Sequence, residues 1–371
     1  MALGLRGSKG VAAPPYTAGP FTWDQFVTFS AGIGGTNTVG KCFYVDPRGT
    51  EYGIGNDQNS GESWSEPLAT IQAAVNKCVD KRGDYIFVGA GANAKNTAHW
   101  TGTSEHPDYQ KIKENVLIYN KSNVHIIGVP FKSVWSHQLR PSDGAGNYLE
   151  AYPGTRTVYS ISAGAVSSSN VGFVVMSRDV EITGFCIDVG GGKVGIYIGD
   201  GAIISTVLDE DGNPETGANT AGTWIHDNII TGGSEGTTGA GIVIEGCSGD
   251  VVIENNTIEL CGGFGIFTYP GSDKTNQRPL IRGNLFNDNK GYGIYASADL
   301  TTRGLTIDNN VFLDGDNQMT AGIKTGICLH TLISNNRFGC TTPLDLTTTD
   351  FFSGNFKCTT GTATETYVSE A

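Results

Sequence analysis

Two carboxylates, Glu254 and Asp308, stand at the same position of a segment repeated through the second half of this 371-residue chain, and His226 and Arg282 hold that position in neighbouring copies. Paired carboxylates flanking a glycosidic oxygen are the minimal machinery for cutting a sugar chain. One protonates the leaving oxygen, and the other activates water or attacks the sugar. Glu254, Asp308 and His226 are therefore the candidate catalytic residues. The full row reads His226, Glu254, Arg282, Asp308, Ser334, with a cation between the two carboxylates. That order equally describes an alternating-charge wall, whose exposed pairs are each worth a fraction of a kcal/mol.

A second row follows a Gly-Ile pair in each copy: Tyr197, Val243, Phe267, Tyr295 and Lys324. Tyr269 lies two residues past Phe267, and Phe264 and Tyr292 stand just before their pairs. Aromatic faces stack on sugar rings. Tyr and Phe are also enriched at protein interfaces. These six aromatics, Tyr197, Phe264, Phe267, Tyr269, Tyr292 and Tyr295, are candidates for carbohydrate or interface contact. No cofactor is called for, although calcium is a possibility on turns carrying Asp57, Asp209 and Asp211. Neither turn completes a twelve-residue calcium loop, and turn formation alone explains both.

These rows exist because the sequence repeats. WIHDNII, VIENNTI, LIRGNLF, TIDNNVF and LISNNRF align without gaps from Trp224 to Phe338, with a shortened copy, FFSGNF, at the end. Their shared asparagines are Asn228, Asn256, Asn284, Asn310, Asn336 and Asn355. Gly-Ile pairs at Gly195, Gly241, Gly265, Gly293 and Gly322 keep the same beat. Each copy alternates apolar and polar residues, which is strand periodicity. One such coil cannot bury its own apolar face, but a stack can. Stacking at about 4.8 Å makes Ile182, Ile225, Ile253, Ile281, Ile307 and Ile333 one inward column. The asparagines form a structural ladder at the bend, their amides bonding to each other and to unpaired backbone. The glycines supply the backbone freedom of a tight corner. The fold class that results is all-β: a right-handed single-stranded parallel β-helix, with a short N-terminal capping helix.

The first half sets up this solenoid. Phe43-Tyr44-Val45 reads as a strand, and SEPLATIQAAVNKCV as a helix capped by Ser65 or Glu66 with Pro67 in its first turn. Tyr85-Ile86-Phe87-Val88 reads as a buried strand. An amphipathic helix here plugs the open end of the stack. The strings Tyr44-Val45-Asp46, Pro67 to Ala74 and Gly83 to Val88 resemble the N-terminal cap of pectate-lyase-like β-helix proteins. That superfamily includes polysaccharide lyases, glycoside hydrolases and bacteriophage tailspikes. The resemblance spans about residues 42–358 and implies the fold more than an activity. Asn-Thr-Asp, Gly-His-Gly and Arg-Ile-Lys motifs of its polygalacturonase-like members are missing, and Val134-Trp135-Ser136-His137 departs from the lyase signature at its acidic position. No catalytic residue carries over.

Composition narrows the partners. The formal charge of −13 repels phosphate backbones, which argues against nucleic acid. It also disfavours polyanionic sugars. No long apolar run follows the weakly basic Met1 to Gly10, so neither an export signal nor membrane insertion is expected. The eight cysteines lack CxxC spacing and read as buried thiols, with Cys340 and Cys358 close enough in the coil order to be neighbours. The chain divides into an N-terminal arm (1–41), a strand–helix cap with the first coil (42–91), the β-helix with loop insertions (92–358) and a C-terminal tail (359–371). The arm, rich in Gly, Ala, Pro and Thr with a few aromatics, suits docking. These features, with the resemblance, place first a virion surface protein (tailspike, fibre or capsid-decorating). It would assemble in the host cytoplasm as a homotrimer and touch host glycans or other virion proteins. The alternatives are a polysaccharide lyase or glycoside hydrolase working in a wall groove, secreted by a non-standard route, and a non-catalytic carbohydrate-binding adhesin.

Overall fold

The computed structural model describes residues 40–47, 54–89, 114–129, 157–161, 171–189, 194–199, 219–232, 239–246, 249–269, 278–297, 302–315, 318–326, 328–346, 351–358 and 365–367. Residues 1–39 of the N-terminal arm, Asp209, Asp211 and the side chain of Tyr269 lie outside the described residues.

The chain from residue 40 onward winds as a right-handed parallel β-helix of three long sheets. Sheet A stacks ten strands, from Cys42–Val45 through Trp224–His226 to Phe351–Ser353. Sheet B holds nine and sheet C eight. Within each sheet the register is constant, so one position of the repeat becomes one column. Ile182, Ile225, Ile253, Ile281, Ile307 and Ile333 form the expected inward column of sheet A. All six are fully buried. Sheet B answers with Phe286, Phe312 and Phe338, whose rings stack at 4.7 and 4.9 Å. Sheet C adds Ile196, Ile242, Ile266, Ile294 and Ile323.

The corner between sheets A and B explains the asparagines. The residue before each ladder asparagine has a left-handed backbone: Asp227, Asn255, Gly283, Asn309, Asn335 and Gly354. Asn and Asp tolerate that conformation best after glycine. The sharp bend takes the next backbone N–H out of the sheet ladders. Asn284 Oδ1 meets that need, accepting from the Asn256 backbone N at 2.9 Å and from Asn256 Nδ2 at 3.1 Å. Asn284 Nδ2 donates to the Ile253 and Arg282 carbonyls and to Asn310 Oδ1. The same pattern links Asn228 to Asn256 and Asn310 to Asn336, and ends at Asn355.

Two expectations change. The Gly-Ile glycines do not form a corner; they lie inside the strands of sheet C without left-handed backbones. Their role is close approach. A Cβ on Gly265 would stand 2.5 Å from the Gly293 carbonyl oxygen and 2.8 Å from Phe286, and Gly293 repeats this against Gly322 and Phe312. The capping helix α1 spans Ile71–Lys77, later than the sequence suggests. Pro67 and Leu68 stay extended because Leu68 pairs with the first strand, bridging Val45 and donating to the Tyr44 carbonyl. Thr70 is the N-cap, accepting from the Ala73 N–H. Helix α1 then buries Ile71, Ala74 and Val75 in the main core. At the other end Glu365–Tyr367 pairs antiparallel with Phe356–Cys358. Cys340 is a free thiol.

Asn284→Ala removes an amide on which a buried N–H and two buried carbonyls depend, so a loss of about 3 kcal/mol or more is expected. Gly265→Ala, which forces a Cβ into backbone, is expected to destabilise by a similar amount. Urea midpoints of the two variants measure both effects; a midpoint unchanged in either would remove the role assigned to that residue.

Candidate active site on the outer face of sheet A

From Asp84–Val88 to Leu332–Ser334, each sheet A strand presents two outward residues, one on either side of an inward isoleucine. The sequence pointed to the second of these, the row His226, Glu254, Arg282, Asp308, Ser334, and the structure stacks that row on adjacent strands. The first outward position forms a neighbouring column: Tyr85, His125, Glu181, Trp224, Val252, Leu280, Thr306, Leu332 and Phe351. Chemistry concentrates where the two columns meet, around Trp224-Ile225-His226.

Glu181 is the centre of that cluster. Its Oε2 pairs with His125 Nδ1 at 2.5 Å and its Oε1 with His226 Nε2 at 2.8 Å. The other nitrogen of His226, Nδ1, lies 2.8 Å from Asp227 Oδ2 and 3.3 Å from Thr183 Oγ1. The hydrogen bond from His125, reinforced by that from His226, holds the Glu181 carboxyl well below its usual range, at about 2. Burial works against charge on His226, but the hydrogen bonds to Glu181 and Asp227 outweigh it and raise its pKa. An imidazole with an acceptor on each nitrogen is best satisfied as the imidazolium. The ladder fixes this ring from behind, because Asn228 Nδ2 donates to the His226 carbonyl at 2.8 Å.

One strand further on, Glu254 is nearly buried. Trp224 Nε1 donates to its Oε1 at 2.8 Å and Arg282 Nε to its Oε2 at 2.5 Å. The indole of Trp224 also stacks on the His226 ring, with centroids 3.8 Å apart. Trp224 is thereby locked over the cluster by a ring face and an N–H, yet 39% of its surface stays exposed. Asp308 stands beyond Arg282, where Oδ1 accepts from Ser334 Oγ at 2.7 Å and from Asn335 Nδ2 at 2.9 Å. The structure thus brings His226 and Glu254 together and sets Asp308 apart behind the guanidinium. Sequence reasoning missed Glu181, His125, Trp224 and Tyr85. The available signal was their common place one residue before the inward isoleucine, obscured by the irregular spacing of the early coils.

The aromatic candidates lie on a different wall, the outer face of sheet C. Tyr197 has no exposed surface, and its hydroxyl is bonded to the buried Glu245. As a contact residue it is therefore corrected: it belongs to a second apolar cluster with Val174, Val194 and Val243. Phe264, Phe267, Tyr292 and Tyr295 are half-buried and stack on one another at 5.0–6.0 Å. Lys324 Nζ covers Tyr292 at 5.3 Å while pairing with Asp345. All four rings are less exposed than Trp224 and Tyr85 on sheet A.

Asp57 spends its carboxylate on the cap rather than on a metal. Oδ1 accepts from the Ala69 and Thr70 N–H groups and Oδ2 from the Thr70 hydroxyl. Among the described residues no group of three His, Cys, Asp or Glu side chains is placed to hold a metal ion. Glu114, which burial pushes up to about 7, accepts from the Ile71 and Gln72 N–H groups and so belongs to the cap.

The Glu181–His226 pair has a defined pH window. The stabilisation due to Glu181 is present above its ordinary value of 4.5 and lost as pH falls toward its folded value of about 2. That due to His226 is full below 6.5 and lost as pH rises through its raised folded value. Glu181→Gln is therefore expected to cost most thermal stability between those two ordinary values and to lower the His226 pKa in an NMR titration. An unchanged His226 titration would contradict the pairing.

No curated protein sequence matches the chain. Among solved structures, DFA-IIIase from Arthrobacter chlorophenolicus A6 is similar at 18% identity and a TM-score of 0.51, over 85% of this chain and 68% of that one. A mutant of that enzyme in complex with DFA-III gives 16% identity and a TM-score of 0.51, over 85% and 67%. The GH136 lacto-N-biosidase from Eubacterium ramulus gives 13% identity and a TM-score of 0.46, over 85% and 56%. The family profile described as "Right handed beta helix region" matches residues 114–340, more than half of the chain, and with the three in-register sheets it makes this chain a member of the right-handed β-helix family.

Proposed function

We propose that this protein is a carbohydrate-active β-helix protein that lays a glycan on the outer face of sheet A and cleaves a glycosidic bond there. The observation that carries this reading is Trp224: a partly exposed indole, held by His226 and Glu254, with Glu181 at the same position of the neighbouring strand. Pre-organised aromatic faces beside charged hydrogen-bonding groups are what sugar sites require. His226, whose pKa is raised by its hydrogen bonds to Glu181 and Asp227, is the proton donor to the leaving oxygen. Glu254, on the adjacent strand, is the carboxylate that stabilises the positive charge developing on the sugar ring; a solvent water then bonds to that ring carbon and gives up its proton, which restores the one His226 donated. Glu181 is a positioning residue that sets the orientation and charge of His226.

The comparisons favour this enzyme reading over the virion-surface role that the sequence placed first. DFA-IIIase, of similar architecture, is an enzyme whose structure is known with DFA-III bound. A second reading, glycan binding without turnover, draws on the same site: Glu181 and Glu254 both accept two internal hydrogen bonds, so each is engaged within the chain.

Incubation of the chain with a panel of oligo- and polysaccharides, read by product chromatography, tests the proposal. Turnover that falls by about 100-fold or more in His226→Ala and in Glu254→Gln is expected. Binding without any turnover selects the second reading. Turnover that survives both substitutions places the chemistry elsewhere.

A further inference from the structure

Taking the outer face of sheet A as the glycan wall proposed above, we infer that it binds an uncharged oligosaccharide, laid lengthwise along the solenoid axis between Trp224 and Tyr85. Four consecutive strands of sheet A place Tyr85, His125, Glu181 and Trp224 in one column. The two ends of this strip are aromatic and exposed, Tyr85 at 38% and Trp224 at 39%, and its middle is an imidazole paired to a carboxylate. Three strand spacings separate the ends by about 14 Å, too far for a single sugar ring to touch both. Each end is braced: Tyr85 stacks on His125 at 4.4 Å and 13°, and Trp224 on His226 at 3.8 Å and 26°. Between them, carboxylate and imidazole groups offer both acceptors and donors to hydroxyls, the pattern that recognises a polyhydroxylated chain.

The charge of the wall selects against acidic sugars. Glu181 lies within the strip, and Asp227 and Glu254 stand at its Trp224 end, with His226 between Glu181 and Asp227 and Arg282 on the strand beyond Glu254. That guanidinium is engaged with Glu254, and Arg278 at the neighbouring corner with Asp250. An incoming uronate carboxylate would meet three carboxylates there, and among the described residues the arginines flanking the strip, Arg82, Arg178 and Arg282, are each paired with a carboxylate. A neutral chain forgoes that repulsion and still gains stacking at both ends.

Calorimetric titration of the full chain with cellotriose, maltotriose, xylotriose and inulotriose, with trigalacturonate and with the parent monosaccharides, tests the inference. At least one neutral trisaccharide is expected to bind about tenfold or more tighter than trigalacturonate and than its own monosaccharide, with little response to added salt. Trp224→Ala and Tyr85→Ala are each expected to weaken it by about tenfold. Thermal unfolding confirms that both variants are folded, and Trp224→Phe, which keeps a ring, is expected to retain part of the affinity. Trigalacturonate binding as tightly as the neutral sugars, and weakening with salt, would overturn the preference for uncharged chains while leaving the glycan wall intact. Affinity unaffected by Tyr85→Ala, or equal for monosaccharide and trisaccharide, would overturn the lengthwise placement. Failure of every glycan to bind the folded chain would overturn the wall itself.

Discussion

From Asp227 to Asn335, a left-handed corner residue at each passage from sheet A to sheet B leaves the backbone N–H that follows it facing inward, away from the sheet ladders. The asparagine of the next coil, one strand spacing along, accepts it. A coil slipped by one residue would orphan that donor and turn its isoleucine outward, so the amide ladder and the inward column enforce the same register. Register in turn decides which side chains become neighbours on the outside. His226 meets Glu181 and Glu254 because Asn228 and Asn256 are locked together behind them.

The solenoid was legible in the sequence because its determinants are local and repeated. The asparagines, the isoleucine column and the Gly-Ile beat each recur within a coil, and stacking them needs no knowledge of the loops. The glycines were read correctly as a column and wrongly as a corner, since sequence spacing does not distinguish a left-handed backbone from a Cβ with no room against Phe286 or Phe312. The helix start was misplaced because Pro67 is a good first-turn residue in isolation. The pairing of Leu68 with the first strand is a contact that propensity does not carry.

The site was legible by half. His226 and Glu254 fall in the regular coils, and the repeat aligned them. Glu181, His125 and Tyr85 come from coils interrupted by insertions, where the period fails, and only the sheet register brings them beside Trp224. The aromatic wall on sheet C invited the opposite error. Its rings form a conspicuous row in sequence, yet on adjacent strands they stack on each other, and Tyr197 is buried. Two walls with similar residue types thus differ in exposure: the sheet C rings are half-buried against each other, and sheet A leaves Trp224 and Tyr85 more exposed beside a charged cluster.

The central claim is that sheet A is the wall that works. A crystal structure of the chain soaked with a neutral oligosaccharide tests it most directly. The account predicts sugar density on the outer face of sheet A, with one ring against Trp224, hydroxyls within reach of Glu181, and the chain running toward Tyr85. Density seated instead on the aromatic rings of sheet C, with the surface around Trp224 left bare, would contradict it.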